Sequence, residues 1–155
     1  MNSPEGGMKR VLVVCLGNIC RSPIGEGLLK HHADKAGLNI HVDSAGTSGW
    51  HQGNQADPRS IEVMSLHGHD ITQQRSRALT KEDLLTFDAI LVMDSQNLRD
   101  VQHFGSSRAL VTRFVPEQDV PDPYYGGDQG FESVYQMIDQ AAYDWIQNWS
   151  KQTLD

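Results

Sequence analysis

Cysteine is scarce. The 155 residues hold two, Cys15 and Cys20. A secreted disulfide framework needs more, so a fold that depends on covalent staples is excluded. Two thiols also cannot make a Cys-rich zinc site. Of the seven His, the pair His31-His32 and the residues His67 and His69 sit at spacings that suit helix faces and turns. No metal and no cofactor is therefore expected. Long apolar runs are missing too, and none approaches the roughly 20 residues of a membrane span. The stretch from Met1 to Gly7 lacks the basic and apolar regions of a signal peptide. It reads as a flexible tail, 1–7, before a single domain, 8–155, expected in the cytoplasm. Positive charge is short as well. Lys and Arg number 13 against 20 Asp and Glu, a formal net charge of −7. That excludes a general binder of nucleic acid or of membrane surfaces. Any anionic substrate must be captured by a local site. Repeats, low-complexity segments and linkers are also lacking. A chain of this length buries roughly 70% of the surface it exposes when unfolded, enough for one core.

What is present is an alternation of strand and helix. Val11 to Val14 is a continuous apolar run, as in a strand buried on both faces. Ser22-Pro23 has the pattern of an N-cap followed by Pro at the first helical position. That helix should run to about Ala36, with Gly37 as its left-handed stop. His41 to Ser44 reads as a second strand. Asp57-Pro58 opens another helix, which ends at Gly68. Thr80 to Asp83 resembles a capping box. Ala89 to Met93 and Ala109 to Phe114 read as further strands, with a helix from Ser95 to Phe104 between them. A long helix spans about Phe131 to Trp149. Its residues Phe131, Val134, Ile138, Ala141, Trp145 and Trp149 form one core-facing stripe. The pattern implies an α/β fold, a parallel sheet with helices on both faces. Ligands of such folds bind beyond the carboxyl ends of the strands, where strand order reverses. Cys15 stands at the end of the first strand.

The chemistry concentrates in Cys15-Leu16-Gly17-Asn18-Ile19-Cys20-Arg21-Ser22-Pro23. A strand delivers a Cys into a short loop that enters a helix N-terminus. Successive backbone N–H groups there can converge on one anion, aided by the helix dipole. Gly17 permits backbone conformations that other residues resist. Arg21 offers a planar fork that matches two phosphate oxygens. The same positive field favours a thiolate at Cys15. Ser22 can cap the helix and can also donate to that thiolate. A bare Cys-x5-Arg recurs by chance, whereas the full string in strand–loop–helix context is specific. A purely structural Cys would leave Asn18, Arg21 and Ser22 without a purpose beside it.

This string resembles the phosphate loop of the low-molecular-weight protein tyrosine phosphatases. The resemblance runs from Met8 onward through Asp43-Ser44-Ala45-Gly46, Asp57-Pro58-Arg59, Phe87-Asp88, Met93-Asp94, Asn97-Leu98-Arg99-Asp100 and Asp122-Pro123-Tyr124-Tyr125. It implies a four-stranded parallel sheet, with the phosphate loop between the first strand and the first helix. It also implies metal-independent hydrolysis of phosphotyrosine and aryl phosphates. Cys15 would be the nucleophile, Arg21 the phosphate clamp, and Asp122 the acid that protonates the leaving phenolate and later activates water. Leu16, Gly17, Asn18, Ile19, Cys20 and Ser22 would bind phosphate; Trp50, Tyr124 and Tyr125 would line the mouth. Asp122 could instead be a turn-former before Pro, and the aromatics plain loop anchors. Asn18 would brace the loop with Ser44 as partner. Similar proteins frequently carry a His where Gln74 stands, and Gln cannot titrate. Asp94 is either a helix N-cap or a support for Arg21.

Two related enzymes compete with this reading. A thioredoxin-coupled arsenate reductase needs cysteines outside the loop, and none exist here. Protein arginine phosphatases carry a smaller polar residue in place of Ile19 and Phe-Gly after the Asp-Pro. A phosphotyrosine-reading module without catalysis would need neither Cys15 nor Asp122. The expected partners are phosphotyrosine proteins as substrates, with no nucleic acid and no membrane. A monomer is expected, with weak self-association left open. Cys20 is either a thiol that traps oxidised Cys15 as a disulfide or a packing residue.

Overall fold

The computed structural model describes residues 9–124, 126 and 128–154. In chain order the elements are β1 (Lys9–Cys15), α1 (Arg21–Ala36), β2 (Ile40–Gly46), α2 (Pro58–Leu66), α3 (Asp83–Thr86), β3 (Ala89–Val92), α4 (Ser95–Phe104), β4 (Leu110–Arg113) and α5 (Asp128–Leu154). The four strands form one sheet in the order β2-β1-β3-β4. Every pairing is parallel, with Cys15 beside Gly46 and Val14 beside Val92.

Alternate residues of β1 divide the core. Val11 and Val13 join α1, α2 and α5 on one face, including Leu28, Leu29, Met64, Phe131 and Ile138. Leu12 and Val14 join the smaller layer of Leu84, Phe87 and Val101, from around α3 and α4. The apolar stripe of α5 is buried as its spacing requires, except that Trp145 is half-buried and its Nε1 donates to the Phe114 carbonyl at 2.8 Å.

Chain order places the site. From β1 the chain crosses through α1 to β2 on one side, and from β3 through α4 to β4 on the other. The loops after β1 and β3 therefore part, which leaves a crevice at their carboxyl ends. Cys15 ends β1 there, and Asp94 follows β3.

Most helix boundaries follow from local chemistry. Asp57 caps α2 by accepting from Arg59 N. Gly37, at φ 69°, closes α1 in the left-handed conformation. Thr80 and Asp83 exchange the reciprocal bonds of a capping box, at 2.9 and 3.2 Å. Ser22 departs from expectation. The N-cap of α1 is Cys20, with no side-chain cap, and the helix already includes Arg21 and Ser22. The Ser22 hydroxyl is turned inward, toward Cys15 and Asn18. α5 also begins three residues earlier than its apolar stripe and continues to Leu154, because polar turns at both ends extend it.

Candidate active site

The site is a cleft of about 280 Å³ lined by Cys15, Leu16, Gly17, Ile19, Cys20, Arg21, Trp50, His51, Asp122 and Tyr124. A larger cleft, about 770 Å³, lies between residues 115–118 and α5, and no cysteine, histidine or arginine lines it among the described residues.

The loop from Cys15 to Cys20 is held by its carbonyls. Cys15 O accepts from Thr47 N at 3.0 Å, Leu16 O from Ser48 N at 2.9 Å, and Ile19 O from Asp57 N at 2.8 Å. Gly17 O accepts from the Ser76 hydroxyl and Cys20 O from the Ser60 hydroxyl, both at 3.1 Å. These carbonyls are thus engaged by the strand end, by α2 and by the 76–79 segment. An anion beside this loop meets little opposing carbonyl charge, as an amide cradle requires.

Asn18 takes the left-handed conformation, φ 59°. Asn tolerates it better than most residues, and its side chain is bonded on every side. Its Nδ2 donates to Ser22 Oγ at 2.7 Å and Ser44 Oγ at 3.0 Å, while its Oδ1 accepts from Arg77 N at 2.9 Å. Ser22 Oγ lies 3.1 Å from Cys15 Sγ. Gly17 does not take a positive φ. Its missing side chain serves space instead, since a Cβ there would stand 3.0 Å from the His51 ring.

Arg21 is almost wholly buried, at 2% exposure. Its Nη1 donates to Asp94 Oδ2 at 2.7 Å and to the Val120 carbonyl at 2.8 Å. Burial alone would weaken the guanidinium, but Cys15 and Asp94 outweigh it and raise its pKa. Asp122, half-exposed on the opposite wall, places Oδ2 3.8 Å from Arg21 Nη2. Asp94 fulfils both readings at once. Its Oδ1 accepts from Asn97 N at 2.8 Å in a capping box, and its Oδ2 holds Arg21. Trp50, 76% exposed, and Tyr124, 37% exposed, stand at the mouth with His51.

Comparison with known proteins decides the family. The description "Low molecular weight phosphotyrosine protein phosphatase" matches residues 10–154. The chain belongs to the low-molecular-weight phosphotyrosine protein phosphatase family. It is 43% identical over 142 residues to the Schizosaccharomyces pombe member, covering 84% of this chain and 90% of that relative. The human relative is 43% identical over 144 residues, 86% of this chain and 90% of that one. Among solved structures, Vibrio vulnificus Wzb in complex with benzylphosphonate superposes with a TM-score of 0.84 at 33% identity, covering 92% of this chain and 99% of that one. A Drosophila arginine phosphatase superposes at 0.85 with 31% identity, 92% and 98% covered.

Against this family background several placements stand out. Gln74 does not join the Asn18–Ser44 network. Its Nε2 donates to the Pro23 carbonyl at 3.2 Å, and its Oε1 is buried without a hydrogen-bond partner among the described residues. Tyr125 lies outside the described residues. Burial pushes the Cys20 thiol well above its ordinary range, helped by Asp57 and Cys15. Three participants were not assigned from sequence. His51 enters the wall, unmarked by any motif. Glu26 lies one helical turn beyond Ser22, and that i, i+4 spacing of polar residues on an inward face was the available signal. Arg59, held by Asp57, donates to the carbonyls of Tyr124 at 2.9 Å and Gly126 at 3.1 Å, and so ties α2 to the segment carrying Asp122.

Gly46 offers a test of this packing. A Cβ there would lie 2.8 Å from Leu16 O and 3.1 Å from Asn18 N, both backbone atoms that cannot swing aside. Gly46→Ala is expected to cost about 1–3 kcal/mol in urea unfolding and to weaken inorganic phosphate binding. Unchanged stability and unchanged phosphate affinity would show that the loop is not braced there.

Proposed function

We propose that the chain hydrolyses phosphotyrosine in proteins through a phosphocysteine at Cys15. The observation that carries this is the arrangement of a thiol, a buried guanidinium and a half-exposed carboxylate around one cleft. The Cys15 sulfur attacks phosphorus while the bond to the phenolic oxygen breaks. Asp122 gives that oxygen its proton. Water then attacks phosphorus, its proton passes to the Asp122 carboxylate, and the phosphorus–sulfur bond breaks to return the thiolate and release phosphate. Arg21 and the backbone N–H groups of Leu16 to Ser22 balance the charge on the transferring oxygens, a task that Mg²⁺ performs in kinases. The reaction accordingly needs no metal.

Aryl substrates are favoured by the walls. Trp50 and Tyr124 offer flat apolar faces at the mouth. Ile19 lines the cleft and gives no polar partner to a guanidinium, which argues for phosphotyrosine over phosphoarginine. The Asp122 carboxylate is oriented by accepting from Tyr124 N at 3.0 Å.

Cys20 is proposed as a resolving thiol. Peroxide converts the Cys15 thiolate to a sulfenic acid. The Cys20 sulfur displaces its hydroxyl as water, and the Cys15–Cys20 disulfide forms. Its raised pKa keeps Cys20 a thiol in the resting protein, so it does not compete as nucleophile. The thiol proton of Cys20 leaves with that hydroxyl in the water.

Two experiments test these assignments. With EDTA present, Asp122→Ala should slow turnover of phenyl phosphate by about 10²–10⁴-fold and of nitrophenyl phosphate much less, because nitrophenolate leaves without a proton. Equal losses on both esters would remove Asp122 as the acid, and a need for added divalent ion would remove the metal-free mechanism. The second experiment treats wild type and Cys20→Ser with peroxide and then dithiothreitol. Wild type should recover and Cys20→Ser should not; equal recovery returns Cys20 to a packing role.

A further inference from the structure

An arginine outside the cleft joins the two segments that the reaction must bring together. Arg59 does not line the cleft among the described residues. Its Nε and Nη2 donate to the two carboxylate oxygens of Asp57, at 3.0 and 3.1 Å. Nη2 also donates to the Tyr124 carbonyl at 2.9 Å, and Nη1 donates to the Gly126 carbonyl at 3.1 Å. The guanidinium carbon lies 4.5 Å from the centre of the Phe131 ring and 5.6 Å from that of Tyr124.

On the side of the nucleophile, Asp57 N donates to Ile19 O at 2.8 Å and the Ser60 hydroxyl to Cys20 O at 3.1 Å. The first turn of α2 is therefore fixed to the loop that carries Cys15. On the side of the acid, Gly126 N donates to the Pro123 carbonyl at 2.9 Å and closes a turn. Arg59 grips two carbonyls of that turn. Tyr124 N, in the same turn, donates to Asp122 Oδ1 at 3.0 Å. That bond leaves Oδ2 on the side of the cleft, 3.8 Å from Arg21 Nη2. A half-exposed carboxylate rotates freely unless a donor fixes it. Here the donor is a peptide N–H, and its place depends on the turn that Arg59 holds.

Arginine suits the task because its planar fork offers five N–H donors in fixed directions. Two of its bonds lock the plane against Asp57, and the plane then aims two more at the carbonyls. We infer that Arg59 is a positioning residue for the proton donor, holding the Asp122 segment in place relative to the Cys15 loop. The assignment rests on the phosphocysteine reading and concerns the steps in which Asp122 gives or takes a proton. It does not concern phosphate binding, because the peptide N–H of Asp57 braces Ile19 without help from the guanidinium. An arginine that merely stabilised the surface would change the amount of folded enzyme and leave the preference among leaving groups as it is.

The test measures kcat/KM, which reports formation of the phosphocysteine, on phenyl phosphate and on nitrophenyl phosphate. The ratio between the two esters cancels any loss of folded enzyme. Arg59→Met should lower kcat/KM on phenyl phosphate about tenfold, short of the whole contribution of a general acid, and should change it on nitrophenyl phosphate within about twofold. In the Asp122→Ala background the same substitution should cost nothing more on phenyl phosphate, because no acid is left to position. The inhibition constant of inorganic phosphate should stay within about twofold. Arg59→Lys keeps the cation and loses the fork. It should fall between Arg59→Met and wild type, and it decides the matter if Arg59→Met does not fold. A wild-type ratio in these variants, or a full further loss in the double variant, overturns the role. If Asp122→Ala discriminates between the esters and Arg59→Met does not, this role alone falls. If Asp122→Ala loses evenly on both, or wild type turns over neither ester, the underlying reading fails and this role fails with it.

Discussion

A backbone loop can surround an anion with N–H groups only if its carbonyl oxygens are satisfied elsewhere. In this chain the carbonyls of Cys15, Leu16, Gly17, Ile19 and Cys20 are each engaged by a donor from another segment. Those donors come from residues 47–48 after β2, from Asp57 and Ser60 at the start of α2, and from Ser76. The rest of the architecture follows from that demand. β2 must end beside β1 in register, Gly46 must lack a side chain, and α2 must begin where Asp57 can both cap it and reach Ile19.

Charge is managed locally because the chain as a whole repels anions, with a formal net charge of −7. Among the described residues Arg21 is the only guanidinium lining the cleft, and its burial would be unfavourable without Asp94 and the Val120 carbonyl. The crevice between β1 and β3 brings Arg21, at the start of α1, against Asp94, which follows β3. Asp122, farther from the guanidinium and half-exposed, keeps contact with water. That contrast in setting separates a carboxylate that holds a cation from one suited to exchange protons with substrate and solvent.

How much of this was legible in the sequence differs by element. The order of strands and helices was readable, because buried parallel strands such as Val11–Val14 are continuous apolar runs and Asp57-Pro58 is a self-contained start signal. The loop from Cys15 to Arg21 could be picked out because its residues are consecutive. What escaped depended on contacts between distant segments. Ser22 has the local pattern of a cap, yet its hydroxyl points at Cys15 because Asn18 supplies it a proton. The unusual backbone conformation expected of Gly17 falls on Asn18, whose side chain is held by Ser22, Ser44 and Arg77. Glu26 looked like one more helical carboxylate until β2 placed Ser44 against it. Gln74 could be located by resemblance, but its turn toward Pro23 could not.

The central claim is that phosphate passes through the sulfur of Cys15. Its most direct measurement is acid quenching of the wild-type enzyme during turnover of an aryl phosphate, followed by peptide mapping and ³¹P NMR. The account predicts a thiophosphate on the peptide that carries Cys15. It predicts none in Cys15→Ser, which should still bind inorganic phosphate. Steady turnover by Cys15→Ser near the wild-type rate, or phosphate trapped on any other residue, would contradict it.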